Sequence, residues 1–220
     1  FSALMQRRLN VTKSQGGGFF FVQIGANDGV SHDPINAFVT ANRLPGIVVE
    51  PLPDVFLKLQ KTYENQPQIR PLNLAVHKDL DQVVLHRPNP ETAGALSGIA
   101  SFDAGRHELT SRRSGLTADD IVAVEVPAKS LMTILEESKA PHLDLLQIDT
   151  EGYDFEILAS LNLDRYKPSI IRFEHGINSG VDARIGLREA LFRLYDYGYS
   201  IAMERVDAMA WQHGDIIKLK

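Results

Sequence analysis

The residues best suited to chemistry sit in four short stretches: Gly25-Ala26-Asn27-Asp28-Gly29, Glu50, Asp149-Thr150-Glu151 and Glu174-His175. Each closes an apolar run of strand length. Glycine lets a backbone approach a bound molecule without a Cβ in the way, and Asn tolerates left-handed dihedrals. Glu50 stands about twenty residues beyond the glycine loop, where a carboxylate ending a second strand can accept both hydroxyls of a ribose. The combination predicts a nucleoside-containing ligand. Dinucleotide-binding proteins use G-x-G-x-x-G to bring a pyrophosphate to a helix N-terminus. Here Asn27 replaces the middle glycine, and Asp28 sets a negative side chain where the pyrophosphate would lie. Both features argue against NAD or FAD. They are compatible with S-adenosylmethionine, which carries an ammonium and a sulfonium.

Such stretches need a frame that gathers strand tips. Apolar runs alternate with helical patterns along the chain, which predicts βαβ units around a parallel sheet. Strands are expected at Phe19–Ile24, Gly46–Glu50, Ile69–Val76, Leu143–Asp149 and Ser169–Gly176, although Pro71 limits pairing in the third. Helices are expected at Pro34–Asn42, Pro53–Asn65, Leu131–Lys139, around Phe155–Leu161 and at Ala183–Tyr197. Two further strands, Tyr199–Val206 and Asp215–Lys220, are expected to end the chain. In an open parallel sheet, ligands bind outside the carboxyl ends of the strands, where all four stretches fall.

Gln82–Arg87 and Ile121–Ala128 alternate as an inserted hairpin, and the connection between them is long enough for a functional loop. Its Arg106, Arg112 and Arg113 suit an anionic group on an acceptor, with a solvated surface loop the plainer reading. The expectation is one domain over residues 1–220, with 1–18 a lead-in and 88–120 a loop on the substrate side.

A net charge of −5 without any basic tract gives no reason to expect a nucleic acid or an anionic membrane as partner. No apolar stretch approaches the roughly 18 residues of a membrane helix. Absence of cysteine excludes disulfides, thiol catalysis and thiolate metal sites, and fits a reducing, cytoplasmic setting.

Five blocks, "VQIGANDG", "VVEPLPDVFLKL", "VEVPAKSLMTIL", "LDLLQIDTEGYDFEIL" and "IIRFEH", resemble in order the successive blocks of the FkbM-type methyltransferase family, from Phe19 to His175. The resemblance implies a class I methyltransferase fold: a Rossmann-like α/β sheet of seven strands, mostly parallel, with an antiparallel last strand and helices on both faces. It also implies S-adenosylmethionine as donor and a hydroxyl as acceptor, often on a sugar or polyketide-like product. By that resemblance, Gly25, Ala26, Asn27 and Gly29 surround the methionine part, and Asp28 reaches the donor. Glu50 holds the ribose, Pro51 and Leu52 flank the adenine, Ala75 lines its edge, and Asp149 closes the methionine end. The family commonly has an acid two residues before the first loop glycine, where this chain has Gln23; an amide can still hydrogen-bond the loop or the donor.

An alcohol must lose its proton as it is methylated, and a positioned base typically adds about 10²–10⁴-fold. His175 is the first choice, since an imidazole titrates near neutral pH. Glu174 beside it, Asp149 and Glu151 complete the candidate catalytic set. No protein metal site is expected, because no His-x-His or His-x-x-x-His pair occurs, although these four residues offer oxygen-rich ligands to a divalent ion as a lesser alternative. The expected partner is a small-molecule or glycan hydroxyl acceptor. Competing readings are a nicotinamide-dependent oxidoreductase and a non-catalytic nucleoside-binding module.

Overall fold

The computed structural model describes residues 1–103, 115–176 and 181–216. Arg106, Arg112 and Arg113 therefore lie outside the described residues. Four strands, β1 (Phe21–Ile24), β2 (Gly46–Val49), β7 (Leu145–Ile148) and β8 (Ile170–Glu174), form the parallel centre of the main sheet. The first three are buried at every position, which is why they read as nearly continuous apolar runs, broken only by Gln23 and Gln147, rather than as alternating ones. With β3 (Ile69–Leu72), β9 (Tyr199–Met203) and β10 (Asp207–Gln212), the seven-stranded order is β3-β2-β1-β7-β8-β10-β9. Strand β10 runs antiparallel to both its neighbours. This is the class I methyltransferase order, and it reverses direction between β1 and β7, the place where a ligand crevice opens.

Two apolar layers cover the sheet. On one face Val22, Ile24, Ile148, Ile171 and Phe173 pack against α5 (Leu131–Glu137), α6 (Asp154–Ser160) and α7 (Val181–Asp196). On the other, Phe21, Val48, Leu145 and Ile170 meet α1 (Ser2–Ser14), α2 (Asn36–Ala41) and α3 (Pro53–Thr62). Helix α1 is held by the fully buried Asp144, which accepts Arg8 Nε at 2.5 Å and the Phe20 N–H at 2.8 Å. Helix α3 starts with Pro53 in its first turn, where a missing N–H is harmless.

A second sheet, β4-β6-β5, is built from β4 (Ala75–Val76), β5 (Gln82–Pro88) and β6 (Ile121–Lys129), the last two an antiparallel hairpin whose connection carries the short helix α4 (Pro90–Ala93). The expected strand Ile69–Val76 is thus divided: its first half pairs with β2 at the sheet edge, where Pro71 is tolerated, and its end joins the hairpin. The closing strand also differs from expectation. Asp207–Gln212 supplies it, with Ala208 and Ala210 fully buried, while His213–Ile216 turns into a short helix, α8, and residues 217–220 lie outside the described residues. Small buried alanines carry little hydrophobic pattern, whereas "DIIKLK" is the more strongly apolar stretch in the sequence.

Candidate active site

Gly25 sets the spacing of the two central tips. Its φ is +75°, and a Cβ there would stand 1.8 Å from the Asp149 carbonyl oxygen, so only glycine lets β1 and β7 end side by side. Asn27 continues the turn with φ 49°. The Asp28 carboxylate closes the loop on itself, accepting the Val30 and Ser31 N–H groups at 2.9 and 2.7 Å. Gly29, at φ +74°, has no room for a side chain against Leu59.

Beyond these tips lies a cleft of about 520 Å³. Of the predicted positions, Gly25, Asn27, Asp28, Glu50, Pro51, Ala75, Asp149 and Glu151 line it. Ala26 and Leu52 are instead buried beneath it, 2% and 0% exposed. Gly29 faces α3.

Glu50 is buried, 4% exposed, with Oε2 accepting the Asn27 N–H at 3.0 Å and Oε1 the Leu52 N–H at 2.9 Å. One lone pair on each oxygen remains for a ligand. Burial pushes its pKa up to about 7, against the opposing pull of the Leu52 and Asn27 amides. Asn73 pins the neighbouring loop by donating to the Glu50 and Pro51 carbonyls at 2.9 and 3.0 Å.

Across β1 the chemistry is anionic. Carboxylate oxygens of Asp149, Glu151 and Glu174 lie within 4.8 Å of one another. Burial first, then the charges of Asp154 and Glu151, raise the Asp149 pKa to about 7. Fully buried Asp154 underpins the group: it accepts the Thr150 hydroxyl at 2.7 Å and the Glu174 N–H at 3.1 Å, tying the tips of β7 and β8 together. Glu151 holds a left-handed backbone, φ 56°, which is uncommon outside glycine.

His175 stands apart from the lining. Its Nε2 lies 3.1 Å from the Glu204 carbonyl, and its N–H donates to the Val206 carbonyl at 2.8 Å, so it fastens β8 to the β9–β10 turn. A carbonyl only accepts, so the ring must carry its proton on Nε2 for that bond.

Two features sharpen the sequence reading. Gln23 is 3% exposed and lines the cleft floor, where β1, β7 and β8 align Gln23, Gln147 and Arg172 in register. Its Nε2 donates to Asp33 Oδ2 at 2.9 Å, which fixes the amide and leaves Oε1 buried without a partner. A buried acceptor of this kind at the methionine end fits the donor's ammonium. The departure from the family's acid was the only signal. The second feature is a roof: Gly94, Leu96 and Gly98–Phe102, apart from Ser101, line the cleft from the hairpin side. These residues belong to the 88–120 loop expected on the substrate side.

The sequence profile of the Methyltransferase FkbM domain matches residues 23–201. The chain belongs to the FkbM methyltransferase family. It is accordingly an S-adenosylmethionine-dependent methyltransferase, and the Gly25 turn, Glu50 and the Gln23 Oε1 acceptor are chemically suited to that donor. No curated protein matches it by sequence. Among solved structures, it is similar to a human methyltransferase 10 domain containing protein at 12% identity and TM-score 0.47, covering 96% of this chain and 81% of that one. An O-methyltransferase from Bacillus cereus in complex with SAH shares 11% identity at TM-score 0.48, covering 96% and 80%. Fibrillarin from Aeropyrum pernix, bound to S-adenosyl-L-methionine, shares 13% identity at TM-score 0.42, covering 93% and 73%. Within the FkbM protein's described residues, no helix is long and apolar enough to cross a membrane.

Proposed function

We propose that this FkbM-family protein methylates a hydroxyl oxygen on a small-molecule or glycan acceptor, with Asp149 as general base. The observation that carries the reading is the convergence of Asp149, Glu151 and Glu174 at the tips of β7 and β8, on the far side of β1 from Glu50. Gln23 Oε1, the Gly25–Asn27 backbone and Glu50 hold the donor's ammonium, methionine part and ribose. Ala75, Leu74 and Pro51 shape the adenine side. When bound, S-adenosylmethionine supplies a methyl carbon already activated by its sulfonium.

The protein's own work is alignment and proton removal. Alignment of two reactants is worth up to about 7–11 kcal/mol. Asp149 receives the acceptor's hydroxyl proton; a pKa near 7 matches a base working at neutral pH. Glu151 and Glu174 accept hydrogen bonds from neighbouring hydroxyls, while burial and the charges of Asp154 and Glu151 keep the Asp149 proton affinity high. The Glu204 contact of His175 favours Asp149 over His175 for this task.

The test is release of S-adenosylhomocysteine across a panel of polyhydroxylated and phenolic acceptors. With the responsive acceptor, Asp149→Asn should lower turnover about 10²–10⁴-fold while S-adenosylhomocysteine binding by calorimetry changes little. Undiminished turnover in that variant, or methylation at nitrogen only, would refute the assignment.

A further inference from the structure

A side-chain hydrogen bond joins the roof of the cleft to the acidic group. Ser101 is 3% exposed, and its hydroxyl donates to the Glu151 carbonyl at 2.9 Å. The same oxygen accepts the Asp103 N–H at 3.2 Å, so the hydroxyl is oriented from both sides. Backbone bonds with His86, at 2.8 and 3.0 Å, fix Ser101 to β5. Beneath the roof, a Cβ on Gly98 would stand 3.1 Å from the Asn27 amide, so the roof rests on the donor loop as well.

Glu151 is the residue with most to gain from such a restraint. Its left-handed backbone is disfavoured for a side-chain-bearing residue, and such conformations persist only where surrounding contacts over-determine them. Its carbonyl is the group Ser101 holds. Its carboxylate is the one that meets Asp149 and Glu174.

We propose that Ser101 is a positioning residue: by holding the Glu151 carbonyl, it keeps the Glu151 carboxylate beside Asp149, so that the pair faces the donor's sulfonium and favours the cationic donor over the neutral product. This rests on the donor orientation given under Proposed function. The consequence is selective. The donor carries one positive charge that the product lacks, so loss of the latch weakens the donor and leaves the product's uncharged sulfur with little to lose.

The experiment measures S-adenosylmethionine and S-adenosylhomocysteine affinities by calorimetry at pH 8, where the Asp149 carboxyl is ionised, for the parent, Ser101→Ala and Ser101→Cys. A thiol leaves no cavity and is a weak donor, so the cysteine variant guards against a folding defect in the alanine one. The expected result is a fall of about fivefold in the preference for donor over product in Ser101→Ala, from loss of one buried hydrogen bond, with a smaller fall in Ser101→Cys. Equal weakening of both ligands, or no change in either, would overturn the latch while leaving the donor site standing. A parent protein that binds neither ligand would overturn the donor site and the latch together.

Discussion

Glu50→Gln offers a prediction whose sign depends on pH. The carboxyl is buried, and each oxygen accepts one backbone N–H, from Asn27 and from Leu52. Glutamine keeps the shape but offers one acceptor oxygen, so one of those amides faces an NH₂ group. A buried amide left unsatisfied costs about 1–3 kcal/mol at any pH. Against this, the substitution removes a buried charge. A rise in pKa from 4.5 to about 7 corresponds to roughly 3 kcal/mol between the protonated and ionised forms. Because the folded pKa is raised, the carboxyl's contribution is fully present below 4.5 and is lost as pH climbs through about 7. Between those values the unfolded chain releases its proton first, and the parent loses stability with rising pH. The amide does not titrate. Urea unfolding at pH 5 should therefore find the variant less stable than the parent by about 1–2 kcal/mol, and at pH 8 equal to it or more stable, a relative swing of about 2–3 kcal/mol. The buried groups Asp149 and Asp154 titrate in both proteins and drop out of the difference. Donor affinity should fall at both pH values, because an amide nitrogen cannot accept a ribose hydroxyl. A variant destabilised equally at pH 5 and pH 8 would refute the reasoning, since Glu50 would then carry no burial penalty.

Further consequences are sharp enough to measure. Gly25→Ala should abolish detectable S-adenosylhomocysteine binding and destabilise the fold by several kcal/mol, read by calorimetry and thermal melting, because its Cβ would overlap the Asp149 carbonyl. With a responsive acceptor, turnover should rise with pH through about 7 as Asp149 ionises, and this limb should vanish in Asp149→Asn; a profile flat from pH 6 to 8 in the parent would remove Asp149 as base. Asp144→Ala should cost about 3–5 kcal/mol by denaturant unfolding, because Arg8 and the Phe20 N–H lose a fully buried acceptor and α1 loses its anchor. A loss below 1 kcal/mol would mean that apolar packing of Met5 and Leu9 alone holds the helix.

Strand interiors and strand tips were legible in the sequence because they obey local rules. A strand buried on both faces is mostly apolar, so Phe21–Ile24, Gly46–Val49 and Leu145–Ile148 stand out in the sequence despite Gln23 and Gln147, and the polar residues just past their ends are the site candidates. Glu50 and Asp149 reach the cleft for that reason. What escaped depends on contacts between distant segments, which leave no period. Ser101 and Glu151 are fifty residues apart and meet through a carbonyl, which any residue type possesses. Gln23 is only a mild departure from a pattern in the sequence; the structure shows its amide fixed by Asp33, with Oε1 buried and without a partner. His175 drew attention because imidazoles are versatile, yet strand alternation cannot tell a side chain at a cleft from one at a neighbouring turn, and here Glu204 holds the ring. The last strand was misassigned because Ala208 and Ala210 are buried by being small rather than by being strongly apolar.

The decisive measurement is a crystal structure with S-adenosylhomocysteine: the ribose hydroxyls should lie on the Glu50 carboxylate, the ammonium at Gln23 Oε1, and the sulfur should face Asp149, Glu151 and Glu174. Adenosine bound away from the tip of β2, or a sulfur turned from those three carboxylates, would contradict this donor placement.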